Sequence, residues 1–151
     1  MAFSRRRWIG SALALGAASA AVLTPLRVLA KSRPAFTAES TDSALNSLFG
    51  DRVIEESDQI VLKIPDIAEN GAVVPVTVST DIAGVEKIAI VVDENPNPLS
   101  ASFSIKPDAF ADISTRVKMG KSSRVRALVQ TPEKIYVTSK DVKVTIGGCG
   151  G

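Results

Sequence analysis

The chain has 151 residues, of which 45% are hydrophobic and 23% charged, a composition typical of one globular domain rather than of a disordered or fibrous protein. Its formal net charge of +2 is misleading, because residues 1–30 contain four arginines and no acidic residue. Without these four, the 18 basic residues of the chain fall to 14, against 16 acidic residues. A strongly basic surface is therefore absent, which argues against a nucleic-acid-binding protein.

Residues 1–30 have the pattern of a targeting signal. The segment Ser4-Arg5-Arg6-Arg7-Trp8-Ile9 resembles the twin-arginine export motif, and a small-residue apolar run follows it as far as Leu23. That run is short for a membrane span, although a short membrane anchor is the alternative interpretation. Val28-Leu29-Ala30 fits a cleavage site before Lys31. We therefore predict export to the periplasm, cleavage after about Ala30 and no stable membrane association of the mature protein.

The next elements are a linker and one helix. Residues 31–39 are polar and contain a proline, which predicts an irregular linker. Ser40 or Thr41 can cap a helix that ends at Gly50, and the apolar residues between them fall at helical spacing: Ala44, Leu45, Leu48 and Phe49. We expect a short amphipathic helix whose apolar stripe packs on the core.

After Gly50 the hydrophobic period changes to 2, which indicates strands. The strand candidates are Ile60–Ile64, Val73–Val78, Val85–Val92, Leu99–Ile105, Ala111–Lys118, Arg124–Gln130 and Ile135–Ile146. About seven short strands separated by turn residues predict an all-β fold, an antiparallel immunoglobulin-like β-sandwich over residues 40–146 together with the helix. The only tryptophan is Trp8, in the signal, so aliphatic side chains must fill the core.

Particular residues give local expectations within these strands. Asn70-Gly71 predicts a turn, and Pro75, which lacks an N–H group, predicts an edge strand or a bulge. The dense β-branched run Val85–Val92 predicts a central strand, and Asp93–Pro98 a loop. Alternation in the next-to-last strand candidate separates two faces: Val125, Ala127 and Val129 on one, and Arg124, Arg126, Leu128 and Gln130 on the other.

The chemistry of common active sites is missing from the chain. There is no histidine, so the usual general base, the commonest metal ligand and any Cys-His or Ser-His pair are absent. No glycine-rich phosphate loop follows a strand and precedes a helix. The acidic pairs Glu55-Glu56 and Asp93-Glu94 are typical of solvated loops. We therefore predict a non-catalytic protein with no metal ion and no cofactor.

The last five residues, Gly147-Gly148-Cys149-Gly150-Gly151, contain the only cysteine of the chain. Four glycines favour a flexible arm, and they cannot bury the thiol, so we interpret Cys149 as displayed to other proteins. In an oxidising compartment it has no partner cysteine within the chain. The thiol is then capped, paired with another chain, or kept for chemistry supplied by a partner's active site.

The residues of this arm are similar to the carboxy-terminal Gly-Gly-Cys-Gly-Gly arm of the SoxY family, the sulfur carriers of the bacterial Sox thiosulfate-oxidising system. Two internal segments, Ala68–Val76 and Val91–Leu99, resemble motifs of the same family, as does the twin-arginine leader. The resemblance implies an immunoglobulin-like subunit that pairs with SoxZ, as a heterodimer or a larger oligomer. It gives Cys149 the role of covalent attachment point and Gly147, Gly148, Gly150 and Gly151 the role of flexible arm.

The resemblance also implies a reaction sequence. The haem enzyme SoxAX would join thiosulfate to Cys149, and SoxB and, in some systems, SoxCD would act on the adduct until sulfate is formed. A non-carrier periplasmic binding module that uses Cys149 only for an intermolecular disulfide is the alternative, and a thiol enzyme is disfavoured by the missing histidine. The sulfur compounds carried, the resting state of Cys149 and the partner-binding surface stay open. So do the roles of Asn70-Gly71 and Pro96–Pro98, for which turn formation is favoured over partner contact.

Overall fold

The computed structural model describes residues 33–145, which all belong to the second of two units, Met1–Ala30 and Lys31–Gly151. The predicted signal over residues 1–30 and the predicted arm over residues 147–151 lie outside this part. The elements of the described part are α1 (Arg33–Phe36), α2 (Thr41–Phe49), β1 (Ile54–Glu56), β2 (Ile60–Lys63), β3 (Ile67–Ala68), β4 (Val74–Thr80), β5 (Lys87–Val92), β6 (Leu99–Ser104), β7 (Asp112–Val117), β8 (Ser123–Gln130) and β9 (Ile135–Val144). Neither of these helices is long and apolar enough to cross a membrane.

The strands form two sheets that pack as an immunoglobulin-like β-sandwich, as predicted. The larger sheet has the order β1-β9-β8-β5-β6, with β3 also paired to β9, and the smaller sheet has the order β2-β4-β7. The seven strand candidates correspond to β2 and β4 to β9, which pair with one another in antiparallel fashion. Two further strands, β1 and β3, are three and two residues long and run parallel to β9. Strands this short contain no alternating pattern, so hydrophobic period could not reveal them.

The core between the two sheets is aliphatic, as expected. Its fully buried members come from both sheets: Val74, Val76 and Val78 of β4, Ile88, Ile90 and Val92 of β5, Val125, Ala127 and Val129 of β8, and Val142 of β9. The alternation in β8 thus identified the inward-facing residues correctly.

A second core lies on the outer face of the larger sheet, beneath the helices. Ala44 and Phe49 of α2 pack there against outward-facing side chains of β5 and β8, among them Ala89, Val91 and Leu128. Strand β5 is therefore buried on both faces, which confirms that it is central. The sequence placed Leu128 on the face of β8 opposite the core between the sheets, together with the arginines of this strand. The helices cover that face, so Leu128 is buried in the second core.

The residues that cap the two ends of α2 are those that the sequence predicted, Ser40 and Gly50. The Ser40 hydroxyl accepts a hydrogen bond from the Ser43 N–H at 3.2 Å, which satisfies one of the free donors of the first turn. At the other end Gly50 has a φ of 68°, and its N–H donates to the Asn46 carbonyl at 2.7 Å. A residue with a Cβ is disfavoured in that conformation, so glycine ends the helix.

Residues 33–39, the described part of the segment predicted as an irregular linker, pack against the domain. They contain α1, with Pro34 in the first turn, where a missing N–H group costs nothing. Ala35 and Ala38 are buried in the core beneath the helices, and the Asn97 side chain donates to the Ala38 carbonyl at 3.3 Å. Two alanines in a short segment make no recognisable period, and for that reason the sequence suggested a linker.

Pro75 lies in β4, which is the central strand of the smaller sheet, and no bulge interrupts its pairing with β7. The predicted edge position is therefore wrong for the strand as a whole. Pro75 pairs with Arg116 of β7, but the pairing of β4 with β2 stops at Thr77, opposite Lys63. Since β2 has already ended, Pro75 has a neighbouring strand on one side only, and its missing N–H costs no ladder bond.

Candidate functional site at the end of strand β9

The described chain ends at Thr145, one residue after β9. Cys149 and the four glycines predicted to carry the function lie outside the described residues, so the site is built here from the segments around the end of β9. These segments are residues 66–73, 93–98, 118–123 and 143–145, and we name them the arm end. The register of β9 with β8, and of β8 with β5, brings them to one end of the sandwich.

The last three described residues are all held through their backbone N–H groups. Three different segments supply the acceptors: Lys143 donates to the Asp66 carbonyl at 2.9 Å, Val144 to the Ser122 hydroxyl at 2.9 Å, and Thr145 to the Ala68 carbonyl at 3.1 Å. The chain is thus anchored up to Thr145, four residues before Cys149.

The predicted turn at Asn70-Gly71 is confirmed and packs against this anchor. Asn70 accepts hydrogen bonds from the N–H groups of Ala72, at its side chain, and of Val73, at its carbonyl. Gly71 accepts from the Met119 N–H at 2.6 Å. A Cβ at Gly71 would overlap the Met119 carbonyl oxygen and lie 2.9 Å from Val144 Cγ1. Glycine is needed here for close approach, not for an unusual φ.

The second segment with family-like residues, around Asn95, holds the loop of residues 118–123. The Asn95 side-chain amide donates to the Lys118 carbonyl at 2.7 Å, and its oxygen accepts from the Gly120 N–H at 3.1 Å. The Glu94 N–H donates to the Ser123 hydroxyl at 3.0 Å. Because the same loop supplies Ser122 and Met119, the segments Ala68–Val76 and Val91–Leu99 converge on the residues that anchor the end of β9.

Asp93 connects the arm end to the helices. Its carboxylate accepts a bidentate hydrogen bond from the Arg126 guanidinium, at 2.8 to 3.0 Å, and a further one from the Thr41 hydroxyl at 3.1 Å. The hydrogen bond with Asp93 raises the pKa of Arg126, against the opposing effect of burial. The pair Asp93-Glu94 is therefore not simply a solvated loop: Asp93 is partly buried and structural, and only Glu94 forms a surface ion pair, with Lys121 at 2.8 Å.

Residues 33–145 contain no group of three or more His, Cys, Asp or Glu residues placed to hold a metal ion. Within the same range every buried side-chain nitrogen and oxygen has a hydrogen-bond partner. The prediction that Cys149 carries the chemistry lies outside this range and stays a prediction. Sequence reasoning missed Ser122, Met119 and Asn95, whose partners lie 22 or more residues away. Only Asn95 gave a signal, as part of a family-like segment.

We expect Asn95→Ala to loosen the loop of residues 118–123 and the end of β9 together. The substitution removes two hydrogen bonds, at a cost of about 1 kcal/mol, because the freed backbone groups can reach water. Hydrogen exchange of the Gly120 and Val144 amides should become faster. Asn97→Ala is the matched control, since within residues 33–145 the Asn97 side chain donates to the Ala38 carbonyl and to no group of the loop; unchanged exchange at Val144 in Asn95→Ala would contradict this coupling.

Comparisons with known proteins identify the family of the chain. A family model described as sulfur oxidation protein SoxY matches residues 45–149, so the match extends as far as Cys149. The solved structure of the sulfur carrier protein SoxY from Chlorobium limicola f thiosulfatophilum is 43% identical, with a TM-score of 0.64, and the match covers 70% of this chain and 96% of that one. No curated protein matches the chain.

A second solved structure shares the fold alone. It is the superoxide reductase (neelaredoxin) from Ignicoccus hospitalis, at 16% identity and a TM-score of 0.55, with 61% of this chain and 95% of that chain covered. At this identity the likeness supports the β-sandwich and says nothing of the chemistry.

Proposed function

The chain belongs to the SoxY family of sulfur oxidation proteins, and from this premise we propose that it is a periplasmic carrier that binds thiosulfate-derived sulfur covalently on Cys149. The observation that carries the proposal is that the family match extends into the arm motif as far as Cys149. In this proposal the protein is the substrate-bearing subunit of a multi-enzyme pathway and does not itself catalyse a reaction.

The anchored end of β9 supports this role. Cys149 follows Thr145 by four residue steps, with three residues between them. An extended chain spans at most about 3.6 Å per residue, so the Cα atom of Cys149 stays within about 14 Å of that of Thr145. The domain is therefore a fixed base from which a short glycine-rich segment can present the thiol to a narrow active site.

The loading step joins the Cys149 sulfur to the outer sulfur of thiosulfate. One S–S bond forms, the thiol loses its proton, and two electrons pass to the haem enzyme, which leaves a cysteine S-thiosulfonate with a single negative charge. A hydrolase can then add water to the terminal sulfonate, releasing sulfate and leaving a persulfide on Cys149. An unperturbed thiol has a pKa of about 8.5 and is mostly protonated near pH 7, so the enzyme must assist deprotonation.

The proposal includes partners and a location. SoxZ is the stable partner, SoxAX loads the cysteine, and SoxB and SoxCD process the adduct. The twin-arginine leader would direct export to the periplasm, with cleavage after about Ala30. Gly147, Gly148, Gly150 and Gly151 would let the arm enter the clefts of these enzymes, because glycine adds no side-chain bulk.

Intact-protein mass spectrometry after incubation with thiosulfate and SoxAX tests the proposal. The mature chain should gain one S₂O₃ unit, and Cys149→Ser should gain none. An unchanged mass, or an adduct that persists in Cys149→Ser, would refute the carrier role. A stable disulfide-linked dimer on non-reducing electrophoresis, which SoxAX and thiosulfate cannot convert, would favour the non-carrier binding module instead.

A further inference from the structure

We propose that two copies of the chain associate through strand β6, which pairs antiparallel with β6 of the second copy and joins the two larger sheets into one. The contact is a non-covalent homodimer interface at the edge of the domain. It goes beyond the proposed carrier function and can be tested without thiosulfate or its enzymes.

Strand β6 is an open edge of the larger sheet. It pairs with β5 and with no other strand of residues 33–145. Edge strands of soluble proteins are normally short, or they carry charges, prolines or bulges that prevent pairing with another chain. β6 has six residues without a charge or a proline, and its one irregularity, opposite Ile90 and Val91, leaves the pairing from Ala101 to Ser104 regular. This part of the edge is therefore unprotected.

The other edge strands of the described part are protected. At the opposite edge of the larger sheet, β1 and β3 have three and two residues, and β1 contains Glu55 and Glu56. In the smaller sheet β2 has four residues and ends at Lys63. Strand β7 is as long as β6, but Asp112 and Arg116 are exposed on it. Within residues 33–145, β6 is thus the long edge strand that carries no charge.

The backbone groups of β6 that can bind a second strand follow from its pairing with β5. The Ile105 N–H, directly after β6, donates to the Glu86 carbonyl at 2.9 Å. Because the backbone groups of alternate strand residues point to the same side, those of Phe103 also point toward β5. Those of Ser102 and Ser104 point the other way, toward the open edge.

A second copy of the same strand fits this edge. In an antiparallel pair centred on Phe103, Ser102 of each copy lies opposite Ser104 of the other, so that their outward N–H and C=O groups bond to each other. The two Phe103 side chains, which pack partly against the core between the sheets, then meet at a non-hydrogen-bonded position, where cross-strand side chains are closest. Aromatic pairs across strands are favourable, and β6 brings no like charges together.

Such a pair keeps the two Cys149 residues apart. Tyr136 of β9 lies in the same row of the sheet as Phe103, and β9 is three strands from β6, about 17 Å from the two-fold axis. Thr145 is nine residues beyond Tyr136, and the axis turns the two β9 strands in opposite directions. With the usual strand twist the two Thr145 residues are still roughly 45 Å apart. Each Cys149 stays within about 14 Å of its Thr145, so the two thiols of one pair cannot form a disulfide with each other.

The test is sedimentation velocity of the mature chain with Cys149→Ser, which removes disulfide-linked dimers. We expect a dimer that dissociates in the micromolar range, because one pair of strands buries less area than a standard interface. Ser102→Lys/Ser104→Lys should weaken the association about tenfold at low salt and less at high salt, because lysines of the two copies face each other. Gln59→Lys/Ser139→Lys is the control, since it adds the same charges at exposed positions on the side of the sandwich where β2 contacts β9.

A cysteine substitution tests the register in the same Cys149→Ser background. With Phe103→Cys the introduced cysteines of the two copies lie opposite each other, with Cα atoms about 4.5 Å apart, so mild oxidation should link them. Ala101→Cys, on the same face of β6, should not be linked, because its two copies are about four residues out of register in this pair.

Each outcome decides the inference. A monomer at all concentrations, unchanged association of Ser102→Lys/Ser104→Lys, or a cross-link with Ala101→Cys in place of Phe103→Cys would overturn it. Loss of the dimer on addition of SoxZ would assign the β6 edge to that partner and also overturn it. Should the lysine variant unfold at a lower temperature than its control, Ser102→Pro replaces it, because the N–H that it removes points to the open edge. Failure of thiosulfate loading would overturn the carrier function and leave this interface standing.

Discussion

Leu128→Ala is expected to destabilise the protein by about 2–5 kcal/mol, the range for truncating a buried leucine. Leu128 is 1% exposed and lies in the core beneath the helices, with Ala44, Phe49 and Ala89. Removing its side chain leaves a cavity between α2 and the larger sheet, which the two rigid layers cannot fully close. The result tests the helical layer directly, because on a bare sheet the same residue would be exposed.

Chemical denaturation of the mature domain measures this effect. Val61→Ala is the control, since Val61 is also aliphatic and in a strand but is 47% exposed on the uncovered face of the smaller sheet. Its cost should stay below about 1 kcal/mol. Equal effects of the two substitutions would show that α2 does not cover Leu128 in solution.

Gly71→Ala is expected to cost about 2 kcal/mol, because the new methyl group overlaps the Met119 carbonyl and crowds Val144. The Met119 oxygen belongs to the backbone, so it cannot move away as a flexible side chain would. Either the turn or the end of β9 must shift. The substitution should therefore disturb the anchor of the arm as well as the stability of the domain.

Gly120→Ala is a matched control in the same region. A Cβ at Gly120 would have one neighbour within 4 Å, the Asn95 side-chain oxygen at 3.9 Å, and its backbone needs no positive φ. Its effect should be about 0.5 kcal/mol or less, with a slight gain from reduced freedom of the unfolded chain. Equal unfolding free energies of Gly71→Ala and the wild type would contradict the close packing at Gly71.

The fold could be predicted where strands were long enough to repeat a pattern. The alternation of Val125, Ala127 and Val129 identified the core face of β8, and Ser40 and Gly50 identified the limits of α2. The orientation of Leu128 toward a second core could not be predicted, because it depends on which element covers the sheet. The strands β1 and β3 were missed because they owe their conformation to pairing with β9 rather than to their own residues.

The candidate site likewise has one part that depends on a local sequence pattern and another that depends on contacts between distant segments. The arm motif around Cys149 is local, a run of five consecutive residues, and it stays a prediction because it lies outside the described residues. Its anchor is built from hydrogen bonds between distant segments, such as those of Asn95 with residues 118 and 120 and of Ser122 with Val144. A single sequence does not indicate which distant polar residues will form hydrogen bonds with each other. The structure was therefore needed to connect the two family-like segments with the end of β9.

The position of β9 has a consequence for folding. This strand pairs with β8 on one side and with both β1 and β3 on the other, so its partners come from early, middle and late parts of the chain. Contacts between residues far apart in sequence form slowly, and the larger sheet cannot be completed before the residues nearest the C-terminal end are in place. The strand that closes the domain is thus the one that leads to Cys149. A chain whose larger sheet is incomplete lacks the ordered end of β9, so under the proposed carrier role it would have no fixed base for Cys149.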